Sequence, residues 1–163
     1  MTAIVYVSNA GSAKQYAEML SEKTGFPVYS FKESDKVPED AEVIFIGWIM
    51  AGTVQGLKEA SEKFTLRAVC PVGMMKGEKQ DAELKAKNVI EVPMFTLQGN
   101  FHIENLSGMY KMMMNMMLKM MKSKIKQEDI PDGQKALEAL EKGVDMVSEE
   151  NLSDILSWLE ENE

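Results

Sequence analysis

Residues Ala3 to Leu20 read A-I-V-Y-V-S-N-A-G-S-A-K-Q-Y-A-E-M-L, and the fold follows from how that stretch changes character. Ile4, Val5, Tyr6 and Val7 form an unbroken apolar run, three of them β-branched. A strand covered on both faces has this composition, whereas a half-exposed strand alternates. Ser8, Asn9, Ala10, Gly11 and Ser12 are small and mostly polar, and Ala13, Tyr16, Ala17 and Leu20 then recur at helical spacing. The stretch therefore predicts a strand, a short loop and a helix. Backbone N–H groups and hydroxyls of such a loop converge above the helix N-terminus, a place that holds anions, most often phosphate. A plain turn with Ser and Asn for capping is the simpler alternative. Gly11 is the only glycine of the loop, so the dinucleotide fingerprint and the Walker A pattern are both absent.

Working outward, the strand pattern returns four times. Pro27–Phe31 reads as a short edge strand, Ala41–Trp48 as a strongly buried one, Leu66–Val72 as a fourth and Val89–Thr96 as a fifth. Val54, Leu57, Ala60 and Phe64 mark an amphipathic helix, and Glu78–Lys87 a short charged one. Leu152, Ile155, Leu156 and Leu159 mark a C-terminal helix that Ser148 or Ser153 can cap. Short connections in this order predict an α/β fold with a parallel sheet covered by helices. The connection between the second and third strands is short for a crossover helix.

The chain has 163 residues, the size of one domain with a real core, and 45% are hydrophobic. A net charge of −8 argues against nucleic acid as a partner. One cysteine, Cys70, cannot form an internal disulfide, and its apolar strand points to inert packing. His102 is the single histidine, so neither a catalytic triad nor a histidine metal cluster is supported, and a solvated loop residue is expected. No signal segment and no membrane-spanning run is read, so the expected location is cytoplasmic.

Ligands of open α/β sheets sit beyond the carboxyl ends of the strands, where strand order reverses. Three loops gather there: Ser8–Ala13, Trp48–Thr53 and Val72–Gly77. The first resembles the phosphate loop of flavodoxins, a T/S-x-T-G-x-T motif that binds FMN. Ser8 matches the first hydroxyl position and Gly11 the glycine. Asn9 and Ser12 fall at variable positions, and Ala10 and Ala13 stand where the family has its other two hydroxyls. The resemblance implies a flavodoxin-like three-layer sandwich, its five-stranded parallel sheet in the order 2-1-3-4-5, as a single domain over residues 1–163. It also implies an FMN site. Ser8, Asn9, Ala10, Gly11, Ser12 and Ala13 would hold the phosphate. Trp48, Ile49, Met50, Ala51 and Gly52 would cover one side of the flavin, and Gly73, Met74 and Met75 the other.

Between the fifth strand and the last helix lies an insert, residues 98–147. From Met109 to Met121 it reads M-Y-K-M-M-M-N-M-M-L-K-M-M, eight methionines in thirteen residues. Lys111, Lys119, Lys122, Lys124 and Lys126 make it basic within an acidic chain. A helix packed on the body or on a second copy, a helix on an anionic membrane surface, and a lid over an apolar substrate are all compatible with this composition. The segment Gln98–Lys122 is similar to the insert of flavodoxin-type protoporphyrinogen dehydrogenases, and Val144–Glu161 resembles that family's C-terminal helix. The implied functions are electron transfer or flavin-dependent oxidoreduction with a protein or small-molecule partner, or quinone-linked protoporphyrinogen oxidation. Ala10 and Ala13 favour a third reading, a flavin-free interaction module. Contact with a membrane surface or a second copy through residues 103–126 is expected.

Overall fold

The computed structural model describes residues 1–74, 76–106, 108–128 and 133–163. The chain divides into two compact units, residues 1–99 with 146–163, and residues 100–145.

The first unit is built on a sheet. Strand β1 (Thr2–Val7) pairs in parallel with β2 (Val28–Ser30) on one side and β3 (Glu42–Met50) on the other. β3 pairs in parallel with β5 (Thr65–Gly73), which pairs with β6 (Leu97–Gln98), giving the order β2-β1-β3-β5-β6. The remaining strand, β4 (Thr53–Val54), pairs antiparallel with β3 off this path. The sheet thus has six strands where five were expected.

Side chains of successive strand residues point to opposite faces, which is why β1 is apolar throughout. Ile4 joins a core with Ile44, Ile46, Cys70 and Leu97 of the sheet. Helices α1 (Ser12–Thr24) and α6 (Ser153–Glu161) supply Tyr16, Leu20, Ile155 and Leu159 to that core. Ala3 and Val5 face the other way, with Val43, Phe45 and Val69, under α2 (Leu57–Lys63) and α3 (Glu78–Asn88). Two separate cores on the two faces of one sheet make three layers, α/β/α.

Two expectations are corrected. Val54 belongs to β4 and not to the second helix, which begins only at Leu57. The fifth parallel strand is not at Val89–Thr96. There the chain touches the sheet at a single bridge, Met94 to Val69, and pairs regularly only at Leu97–Gln98. Pro93 has no N–H to donate, and this is an edge with one neighbour, so the ladder is interrupted where a Pro falls. The link between β2 and β3, read as short for a crossover helix, is indeed reduced to a 3-10 turn, Phe31–Lys36.

The second unit contains α4 (Gly108–Glu128) and α5 (Gly133–Lys142), which are in contact. It begins and ends on a two-residue neck. Phe101 and Val144 exchange backbone hydrogen bonds, Phe101 N–H donating to Val144 at 2.6 Å and Val144 N–H donating back at 2.7 Å.

Candidate functional site

At the carboxyl edge of the sheet the register brings the three stretches side by side. Val7, the last residue of β1, pairs with Gly47, and Trp48 of β3 pairs with Val72 of β5. Ser8 and Trp48 therefore follow adjacent rows, and Gly73 follows the next.

Asn9, Ala10 and Gly11 form a bend, and α1 starts at Ser12. The Ser8 hydroxyl accepts a hydrogen bond from Gly11 N–H at 3.1 Å, which closes the turn on itself. Gly11 sits at the helix N-cap in the left-handed region, φ 102°. This helix start carries no side-chain cap and no acidic residue in its first turn. No carboxylate of that first turn complements the positive end of the helix dipole. Ala13 is buried in the core beside Ile4, so only its backbone could serve a ligand. Ser12 is buried too, while Ser8, Asn9 and Ala10 are half-buried.

Residues 48–53 do not form the expected open loop. β3 runs on through Trp48, Ile49 and Met50, and Ala51 and Gly52, both at positive φ (51° and 78°), make a two-residue hairpin turn into β4. Positive φ at both central residues is the turn whose twist matches paired strands. Extension of the strand also splits the three candidate ring contacts. Ile49 packs with Phe45 on the α2/α3 side, so Trp48 and Met50, by strand alternation, belong to the opposite face.

The hairpin is held by two residues that sequence reasoning missed. Lys87 Nζ donates to the Ala51 carbonyl at 2.6 Å, and the Asn88 amide donates to the Gly52 carbonyl at 3.0 Å. Asn88 Oδ1 in turn accepts from Val54 N–H at 3.0 Å. Their only sequence signal is a polar pair at the end of a charged helix.

Gly73 and Gly99 are close-approach positions. A Cβ on Gly73 would stand 2.8 Å from Ile49 Cδ1, and one on Gly99 would stand 3.2 Å from Ser12 Oγ and 2.8 Å from Val72 Cγ1. Gly99 N–H donates to the Gly73 carbonyl at 2.8 Å, which draws the end of β6 against the helix start. Met74 is half-buried, and the Gln98 amide donates to its carbonyl at 3.4 Å. Met75 lies outside the described residues. No group of three or more His, Cys, Asp or Glu able to hold a metal occurs among the described residues.

The arrangement therefore offers an uncapped helix start, a tryptophan one strand away and a glycine-lined third row. Compared with protein-family models, curated proteins and solved structures, the chain matches none.

Proposed function

We propose that the chain is a flavodoxin-like protein that binds FMN and acts in electron transfer or flavin-dependent oxidoreduction. The observation that carries the reading is the uncapped start of α1 at the point where strand order reverses, with Trp48 on the neighbouring row. Counted without β4, the parallel strands lie in the neighbour order of a flavodoxin-like sheet.

The residues present fit the group. Ser8–Ala13 would hold the phosphate, chiefly through backbone N–H groups, since Ala10 and Ala13 bring no hydroxyls. Trp48 and Met50 would cover one side of the ring, and the backbone at Gly73 and Met74 would lie along the other. FMN supplies the one- or two-electron chemistry, and the protein supplies position and electrostatics. A chain of net charge −8 disfavours added negative charge and lowers the potential of a bound redox group.

Purified protein with a flavin absorption spectrum, or apoprotein whose melting temperature rises and Trp fluorescence falls on adding FMN, is the expected result. Ligand at a hundred times its Kd stabilises by about 2.7 kcal/mol, which a melt detects readily. Trp48→Ala should weaken FMN binding by about tenfold, the worth of one aromatic contact of about 1.4 kcal/mol. Colourless protein that ignores FMN would instead leave the flavin-free interaction module standing.

A second reading, quinone-linked protoporphyrinogen oxidation, is favoured by the Met-rich helix that follows the last strand. Flavin-loaded protein that oxidises a porphyrinogen with a quinone present supports it, and absence of turnover removes it.

A further inference from the structure

Helix α4 carries three lengthwise stripes. At 3.6 residues per turn Tyr110, Met114, Leu118, Met121 and Ile125 share one side, and each is buried or half-buried. Met109, Met112, Met113, Met116, Met117 and Met120 share a second, broader side, and all are exposed, Met112 at 66%, Met116 at 59% and Met120 at 71%. Lys111, Lys119, Lys122 and Lys126 form one edge between the two, all exposed. The inner stripe satisfies the packing needs of an ordinary amphipathic helix. The outer methionine stripe is a second apolar face, of a kind that soluble surfaces rarely leave in contiguous patches.

The lysine edge is also concave. A cavity of about 600 Å³ opens along it, walled by Lys111, Asn115, Lys119 and Lys122 together with Glu104 and Glu141. Glu141 pairs with Lys122 at 2.7 Å, and Glu104 faces His102 at 3.6 Å. Among the described residues no carboxylate pairs with Lys111 or Lys119. Two ammonium groups without carboxylate partners thus line a hollow beside an exposed apolar face.

We propose that this face docks on an anionic lipid surface, methionines against the acyl boundary and lipid phosphates in the lysine-lined hollow. Charge complementarity selects this occupant. α4 has five lysines and one glutamate in a chain of net charge −8. Lysine stems reach past an apolar face and keep the ammonium at the phosphate level, and methionine conforms to an irregular, fluid partner. No helix among the described residues is long and apolar enough to cross a membrane, so α4 lies in the plane of the surface. A second copy of the chain is a poorer fit. Antiparallel pairing of two α4 helices sets lysine edge against lysine edge, and in any pairing of α4 with α4 each helix offers one acid, Glu128, against five lysines. The proposal is independent of the flavin reading.

Flotation of the full chain with lipid vesicles tests it. Binding is expected to vesicles of phosphatidylcholine mixed with phosphatidylglycerol, to be absent from phosphatidylcholine alone, and to fall as salt is raised. Lys111→Gln and Lys119→Gln should each weaken partitioning roughly fivefold, and the corresponding Arg variants should retain it. Met112→Ser, Met116→Ser and Met120→Ser together should weaken it by about tenfold or more with an unchanged melting curve, because all three side chains already face solvent. No binding to anionic vesicles overturns the proposal, as does equal binding to both lipid mixtures. So does a dimer in light scattering that the triple Ser variant dissolves without any vesicle binding.

Discussion

The Tyr16 hydroxyl joins three separate segments of the first unit. It donates to the Gln98 carbonyl and receives the Asn151 amide at 2.7 Å, while Asn151 also reaches the Met146 carbonyl at 2.8 Å. One phenol so ties α1 to the end of β6 and to the segment leading into α6. The ring itself is fully buried. Removing only the oxygen, Tyr16→Phe, leaves the ring packed and strands buried polar groups, which costs about 1–3 kcal/mol. At about 2–4 °C per kcal/mol for a protein of this size, a thermal melt should show the loss clearly. Nothing in the sequence distinguished Tyr16 from its neighbours on the apolar stripe, because its partners lie in segments more than eighty residues away. Cys70 is the opposite case, legible from its strand alone. It is fully buried, and burial pushes its thiol far above the ordinary value. Iodoacetamide should leave the folded protein unmodified at mildly alkaline pH and label it once denatured; labelling without denaturant would show that β5 opens.

Elements with a long apolar stripe or run were readable in advance, and those set by tertiary hydrogen bonds were not. β1, α1 and α6 lie where periodicity puts them, since each has one face or two faces of consistent burial. The β3–β4 hairpin was missed because Ala51–Gly52 is an undistinguished turn sequence until Lys87 and Asn88 pin its carbonyls. The candidate site inherits both outcomes. Its helix start was visible in Ser8–Ala13, while the division of Trp48 from Ile49 depended on a strand that runs two residues further than its apolar pattern implied. His102 was expected in solvent as a loop residue. It does lie outside the helices and strands, partly exposed beside the neck of the second unit, with one nitrogen 2.7 Å from Asp145 and the other 3.6 Å from Glu104. The hydrogen bond to Asp145, helped by both negative charges, raises its pKa above the ordinary 6.5, against a smaller opposing effect of burial. A raised folded value means the protonated imidazole is the stabilising form. Its contribution is complete below about pH 6.5 and is lost as pH climbs through the higher folded value. Protection of the Phe101 and Val144 amides from hydrogen exchange should therefore decline over that window after correction for intrinsic exchange. His102→Gln should flatten the decline; a wild-type profile already flat would mean the pair does not hold the neck. Gly143→Ala tests the same contact sterically, because a Cβ there would overlap the imidazole at a backbone φ of 92°.

At the scale of the whole chain, the two proposals concern different units. Every candidate residue of the cofactor site lies within residues 1–99, and every residue of the methionine face lies within 100–145. Both cores of the sheet are likewise built from residues of the first unit alone. The chain leaves and re-enters at Phe101 and Val144, which are already hydrogen-bonded across the neck as an antiparallel pair. Such a pair can be closed by a two-residue turn. Replacing residues 102–143 with Asn-Gly should therefore give a protein that melts cooperatively, keeps the sheet's circular dichroism and retains whatever FMN affinity the full chain has. It should lose anionic-vesicle binding altogether. A short closure also lowers the entropy of the unfolded chain relative to an excursion over residues 102–143, so the excision is not expected to cost stability through the loop itself. If the shortened chain instead fails to fold, the second unit supplies contacts the sheet needs. If it folds but no longer binds FMN while the full chain does, residues 102–143 contribute to FMN binding, and the proposal that residues 1–99 alone hold the flavin is wrong.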